Sequence, residues 1–162
     1  YSRSFFIHDN FMKFKILFAS TILFGSTQFV AAMPVDPLLG SWKVIDDKTG
    51  HYISEVAIRK NSKTQLYSAS ITKSYALPGT AASEVCNKCS GTMRNKSLFG
   101  LEIMTNLQES TKNKFNSGTW VNPQNGVVYT IGADLSNTGD QMKVFGKSKS
   151  DNSTTSMTWK KF

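Results

Sequence analysis

From residue 40 onward the chain alternates between apolar and polar positions in short runs. Tyr52, Ser54, Val56 and Ile58 interleave with Ile53, Glu55, Ala57 and Arg59, a period of two that sends successive side chains to opposite faces of a strand. Similar runs recur at residues 42–45, 65–72, 98–107, 115–121, 127–134, 141–147 and 155–162. Turn-forming clusters separate them, among them Asp46-Asp47-Lys48-Thr49-Gly50, Asn61-Ser62-Lys63, Asn122-Pro123-Gln124-Asn125-Gly126 and Ser136-Asn137-Thr138-Gly139-Asp140. Eight such segments at short spacing predict an all-β fold, and short turns between consecutive strands predict an up-and-down antiparallel meander. Closure into an eight-stranded barrel removes both exposed edges and leaves an interior wide enough for side chains or one small ligand. A flat sandwich of the same strands is the structural alternative.

Two regions break the rhythm. Residues 75–97 form a long polar connection that holds Cys86 and Cys89, the only cysteines; loops of that length are usually functional or locally pinned. The other is the front of the chain. Met12-Lys13-Phe14-Lys15 is a basic start, residues 16–24 are almost continuously apolar, and Val30-Ala31-Ala32 supplies small or aliphatic residues. This three-part pattern predicts a signal peptide over residues 12–32, cleaved between Ala32 and Met33. Its apolar run falls well short of the roughly 20 residues that span a bilayer, so the processed chain is not expected to cross a membrane. Residues 1–11 resemble no targeting element and are read as an upstream, non-native or mis-called leader. Residues 33–162 are expected to form a single barrel domain, exported to a periplasm or secreted.

Composition narrows the chemistry. The chain carries 19 Lys+Arg against 11 Asp+Glu, a net charge of +8; cleavage removes Arg3, Lys13, Lys15 and Asp9 and lowers it to +6. The lysines are scattered, with no dense basic stripe interleaved with aromatics, so no nucleic-acid partner is expected. A weak attraction to anionic envelope components is the charge effect that remains. With His51 the one histidine after cleavage, most metal sites and nucleophile triads lack a ligand or a base. No cofactor, metal site or catalytic residue is expected.

Several landmarks occur in a known order. Gly40-Ser41-Trp42, Ile45-Asp46-Asp47-Lys48-Thr49-Gly50 and Leu66-Tyr67 open it; Cys86-Asn87-Lys88-Cys89-Ser90-Gly91 and Gly100-Leu101-Glu102-Ile103 follow; Gly118, Asn122-Pro123, Gly126, Tyr129 and Trp159 complete it. Over about residues 39–162 the chain resembles the domain-of-unknown-function 2147 family. The resemblance implies an exported bacterial protein with a calycin, or lipocalin-like, barrel, in which the Gly-x-Trp tryptophan closes one end. That family has no established biochemical activity, so the resemblance implies fold and address rather than chemistry. The sequence departs from the family where Phe145 precedes Gly146 in place of an arginine, where Lys161 follows the last tryptophan in place of another, and where Phe115 replaces a common tryptophan.

The cysteine pair has three readings. An oxidising compartment favours a disulfide between Cys86 and Cys89; redox exchange lacks the helix N-terminus that would activate a thiol; a zinc site lacks two ligands. Asp46-Asp47 reads as a turn device, since adjacent side chains on a strand end diverge. His51 reads as a solvated turn residue. Trp42, Phe99, Phe115, Trp120, Tyr129, Phe145 and Trp159 all fall in predicted strands, where they either fill the barrel or line a cavity. Alternation along the strands selects Trp42, Phe99, Leu101, Ile103, Tyr129, Ile131 and Trp159 as the expected core or ligand-lining set, with Trp42 near one end and packed toward Trp159. Two functions follow: a non-enzymatic module that binds one small apolar or amphipathic ligand, with residues 75–97 over its mouth, or a structural or envelope-stress accessory protein with a solid barrel that acts through its surface. No nucleophile, base and oxyanion donor can be assembled from motifs, which places an enzyme third.

Overall fold

The β-branched and aromatic residues of the alternating runs form eight strands in the computed structural model, which describes residues 34–162. They are β1 (Gly40–Asp46), β2 (Tyr52–Lys60), β3 (Tyr67–Ser74), β4 (Glu102–Thr111), β5 (Lys114–Val121), β6 (Val128–Leu135), β7 (Gln141–Ser148) and β8 (Thr154–Lys161), with one 3₁₀ turn at Gly91–Met93. Each strand pairs antiparallel with its neighbour in sequence, and β1 pairs with β8, so the sheet closes into an up-and-down barrel rather than a sandwich. Closure is set by Val44 opposite Trp159 on one side and opposite Ser54 on the other. The leader, its Ala32–Met33 cleavage point and residues 1–11 lie outside the described residues.

One face of every strand fills the barrel. Trp42 and Val44 of β1, Val56 and Ile58 of β2, Tyr67, Ala69 and Ile71 of β3, Ile131 and Ala133 of β6, Met142 and Val144 of β7, and Met157 and Trp159 of β8 are all buried in one cluster. Removing that much apolar surface from water at about 25 cal/mol per Å² is the main drive for closure. Alternation makes the opposite face largely polar, as in Lys143 and Lys147 beside buried Met142, Val144 and Gly146, with Phe145 an apolar exception on that outer face.

The seam between β3 and β4 is irregular. Its register shifts twice, between the pairs Tyr67 with Leu107, Ala69 with Met104, and Ser70 with Glu102. Ile103 and Met104, adjacent in sequence, are both buried, which strict alternation forbids and a bulged strand allows. In β5, Gly118 faces inward where a Cβ would lie 2.7 Å from the Ile131 side chain and 2.9 Å from that of Leu107. Glycine there is what lets those two side chains meet.

Candidate functional site

The two ends of the barrel are closed by different means. At the end where β1 begins, residues 36–39 fold across the opening. Leu38 is fully buried, and its carbonyl accepts the Trp42 indole N–H at 2.9 Å. Asp36 accepts from the Tyr67 hydroxyl at 2.7 Å and pairs with Lys60 at 3.3 Å. Lys161 Nζ donates to the Pro37 carbonyl at 2.6 Å and lies 5.4 Å from the centre of the Trp42 ring, a cation–π contact. Burial pushes the Asp36 carboxyl up, but the hydrogen bonds from Tyr67, Leu38 and Lys60 outweigh it and hold the group below its ordinary range. This is the sealed end.

At the other end the connection between β3 and β4 forms a roof. Cys86 and Cys89 are joined as a disulfide, and both are buried. Val85 bridges Ser97, Cys86 N–H donates to the Lys96 carbonyl at 2.8 Å, and Leu98 N–H donates to Glu84 at 2.8 Å. The roof rests on the turn between β5 and β6: a Cβ at Gly126, whose φ is +75°, would sit 1.9 Å from the Lys88 carbonyl oxygen. Only a glycine allows the two backbones to approach so closely. Between them lies a cavity of about 220 Å³ lined by Tyr75, Leu77, Asn87, Leu98 and Gln124 among others. Beside it Tyr75 donates its hydroxyl to Glu55 and packs against Tyr52 with ring centres 5.5 Å apart. The bond to the Glu55 carboxylate, with some burial, pushes the Tyr75 phenol up to about 12.

The expected lining set is placed as follows. Trp42, Ile103, Tyr129, Ile131 and Trp159 are buried in the inner cluster, and Leu101 packs against it half-buried. Phe99 is a correction: it is 76% exposed and lies outside the barrel wall. Its strand begins at Glu102 rather than Leu98, because Gly100 turns the chain with a φ of +79° and buries Leu98 instead. Phe145, also expected among the inward aromatics, is 47% exposed on the outer face. The signal-cleavage residues Ala32 and Met33 lie outside the described residues.

Three polar atoms of the inner wall have no hydrogen-bond partner: Ser54 Oγ, Trp120 Nε1 and Trp159 Nε1. All three residues are buried. Sequence reading misses them, because whether an indole finds an acceptor depends on what faces it across the barrel. A buried donor left without a partner costs about 1–3 kcal/mol. Trp120 packs on Tyr129 with ring centres 5.4 Å apart, which fixes one indole against its neighbour.

Outside the barrel the acidic pair diverges as expected. Asp46 takes the Thr49 N–H at 3.1 Å within the turn. Asp47 reaches across the outer face to Lys143 Nζ at 2.7 Å and to the Thr158 hydroxyl at 2.6 Å. An open groove of about 670 Å³ runs past them, over Phe145, Lys147 and Thr155. His51 is exposed. Among the described residues no three His, Cys, Asp or Glu side chains are grouped closely enough to hold a metal ion, and no helix is long and apolar enough to cross a membrane.

Residues 40–161 match the model of a family described as uncharacterized proteins conserved in bacteria, domain of unknown function 2147. The chain belongs to the domain-of-unknown-function 2147 family. Its barrel is also similar to a solved structure from Helicobacter pylori, the protein HP1028, described as belonging to the lipocalin family. The TM-score is 0.60 at 16% identity, over 77% of this chain and 82% of that one. At that identity the likeness concerns the fold alone. No curated protein matches the sequence. In this member of the 2147 family the Gly-x-Trp opening belongs to the sealed end and the two-cysteine element to the roof, so the landmarks divide between the two ends.

Proposed function

We propose that the protein is a non-enzymatic binding module for one small apolar or amphipathic molecule, held in the barrel and admitted at the roofed end. The observation that carries this reading is the asymmetry of the ends. One is stoppered by Leu38 and Trp42, which belong to the core itself. The other is covered by a separate loop that rests on a turn, with a 220 Å³ cavity between loop and turn. Binding sites commonly lie in the mouths of β-barrels.

The leader pattern over residues 12–32 supports a place outside the cytoplasm, and the buried disulfide is suited to an oxidising compartment. The net positive charge supports a weak attraction to anionic envelope components.

A second reading has its own observation. Trp42, Trp120, Trp159, Met104, Met142 and Met157 are fully or almost fully buried, while an open groove of about 670 Å³ lies on the outer face past Phe145. That arrangement favours a solid barrel acting through its surface, as a structural or envelope-stress accessory protein would.

Native mass spectrometry of protein purified gently from the exported fraction separates the two. A retained small molecule supports the binding module, whereas a bare chain supports the surface reading. The intact mass also tests export: a chain beginning at Met33 is the expected product, and one that keeps residues 29–32 overturns the cleavage site.

A further inference from the structure

We infer that the roofed end carries a binding site of its own, for a small monoanion with a short hydrocarbon body such as a short-chain carboxylate, in the cavity between the roof and the β5–β6 turn. This site goes beyond the ligand proposed above for the barrel. Nearly all the residues that line the cavity belong to loops, so it needs no space between the strands and stands on either reading of the barrel.

Three segments make its walls. The first runs out of β3 and turns where the Thr80 N–H and hydroxyl both donate to the Leu77 carbonyl, at 3.0 and 2.8 Å. The second is Asn87-Lys88, the pair enclosed by the Cys86–Cys89 disulfide. Both cysteines are buried, and the absent side chain of Gly126 lets the Lys88 carbonyl lie against the turn. The third is Pro123-Gln124, and Gln124 Nε2 donates to the Tyr75 carbonyl at 3.5 Å, which ties this wall to the first. Backbone pinned on three sides has little freedom left to lose when a ligand enters.

Size sets the first limit on the occupant. At about 30 Å³ per water, a volume of about 220 Å³ has room for about seven waters. A body of about that many non-hydrogen atoms fits, and a long acyl chain does not. Leu77, Leu98 and Pro123 give the cavity apolar surface, and of these Leu98 and Pro123 are buried. Charge sets the second limit. Lys88 is the one charged side chain among the lining residues, and no Asp or Glu lines the cavity, so a cation finds no counter-charge there. The ion pairs among the described residues use Lys60, Lys114 and Lys143, which leaves Lys88 without a carboxylate. The Asn87 and Gln124 side-chain amides on the same walls can donate to a carboxylate oxygen. Because Lys88 is exposed, its pull is that of a solvent-screened pair, several-fold in affinity rather than orders of magnitude.

The test uses protein expressed from the full chain, with its disulfide intact and its leucine methyls labelled with ¹³C. Three probes have nearly equal size: isovalerate, isovaleramide and isopentylammonium; dodecanoate is the long carboxylate. At pH 7 isovalerate is expected to shift the Leu77 and Leu98 methyls to saturation and to bind roughly fivefold more tightly than isovaleramide, with isopentylammonium weakest. Lys88→Gln should remove the preference for isovalerate and leave the affinity for isovaleramide unchanged. Ala81→Phe, at an exposed lining position, should weaken both. Isovaleramide or isopentylammonium binding as tightly as isovalerate overturns the anion assignment. Methyl shifts that grow without saturating, or that neither variant alters, overturn the site. Dodecanoate is expected to leave Leu77 and Leu98 in place, and a saturating shift there overturns the size limit. A barrel-held ligand instead moves Leu107 and Leu135 of the inner cluster, so either site can fail while the other stands.

Discussion

The sealed and roofed ends of this barrel do the same mechanical job with different materials. At the sealed end residues far apart in sequence converge, Asp36 with Lys60 and Tyr67 and Pro37 with Lys161, beside the local contact of Leu38 with Trp42. These contacts involve core side chains, so opening that end means disturbing the core. At the roofed end most of the bonds are local, from Glu84 to Leu98 and from Cys86 to Asn95 and Lys96. The roof is organised by its own hairpin and disulfide, and it meets the barrel through the buried side chains of Cys86, Cys89 and Leu98 as well as through backbone packing on Gly126. An element held that way can loosen without unfolding the strands beneath it, as locally opening segments do. The difference teaches where stability and access reside.

The strongest way to break this comparison is at the sealed end. Trp42→Ala removes the indole, its hydrogen bond to Leu38 and the surface under Lys161, and should cost about 3–5 kcal/mol in urea unfolding. A loss near zero would mean that this end is not part of the core. At the roofed end, Gly126→Ala forces a Cβ against Lys88 in a backbone conformation that alanine resists, and should cost about 1–3 kcal/mol. Its signature differs as well. Trypsin should cut the roof at Arg94 or Lys96 faster while the strands keep their hydrogen-exchange protection. If the strands lose protection in step with the roof, the two ends are one cooperative unit.

How far the sequence carried this comparison depends on the kind of interaction. The strands were legible because period-two alternation is a local signal, and so was closure, because eight strands in sequence order leave two edges to pair. Trp42 was legible from its motif. Phe99 was not: Leu98 and Phe99 are both apolar, and choosing between them requires knowing that Gly100 turns the chain. Phe145 failed for a related reason, since Val144 and Gly146 take the inward positions and parity sends the larger side chain out. Long-range polar partners left no trace at all. Nothing in the sequence ties Asp36 to Tyr67, and nothing marks Trp120 and Trp159 as indoles without acceptors while the Trp42 indole has one.

The disulfide sharpens the roof's part with a smaller effect. Cys86 and Cys89 close a loop of only a few residues, so the chain-entropy contribution of their bond is about 2 kcal/mol at most. Replacing both with Ser should lower stability by no more than that and leave the barrel folded, as read from circular dichroism and the unfolding midpoint. Complete unfolding would show that the roof is needed for closure rather than for access.

The smallest effect belongs to a carboxylate at the sealed end, and its sign is fixed by the direction of its pKa. Folding lowers the Asp36 pKa from its ordinary 3.8, because the bonds from Tyr67, Leu38 and Lys60 outweigh the burial that pushes it up. A depressed pKa means that the unfolded chain binds the proton more readily. The stabilising contribution is therefore fully present above about pH 4 and is lost as pH falls through the folded value. Asp36→Asn keeps the shape and one acceptor but removes the charge, and should cost roughly 1 kcal/mol at pH 7. Unfolding free energies of the two proteins, measured at successive pH values downward from 7, should converge as Asp36 takes up its proton. Asp47, Asp140 and Asp151 also have lowered values and titrate in the same acid range, but they are common to both proteins and cancel in the difference. A gap that stays constant into acid would show that the seal rests on apolar packing and hydrogen bonds in which the charge of Asp36 has no part.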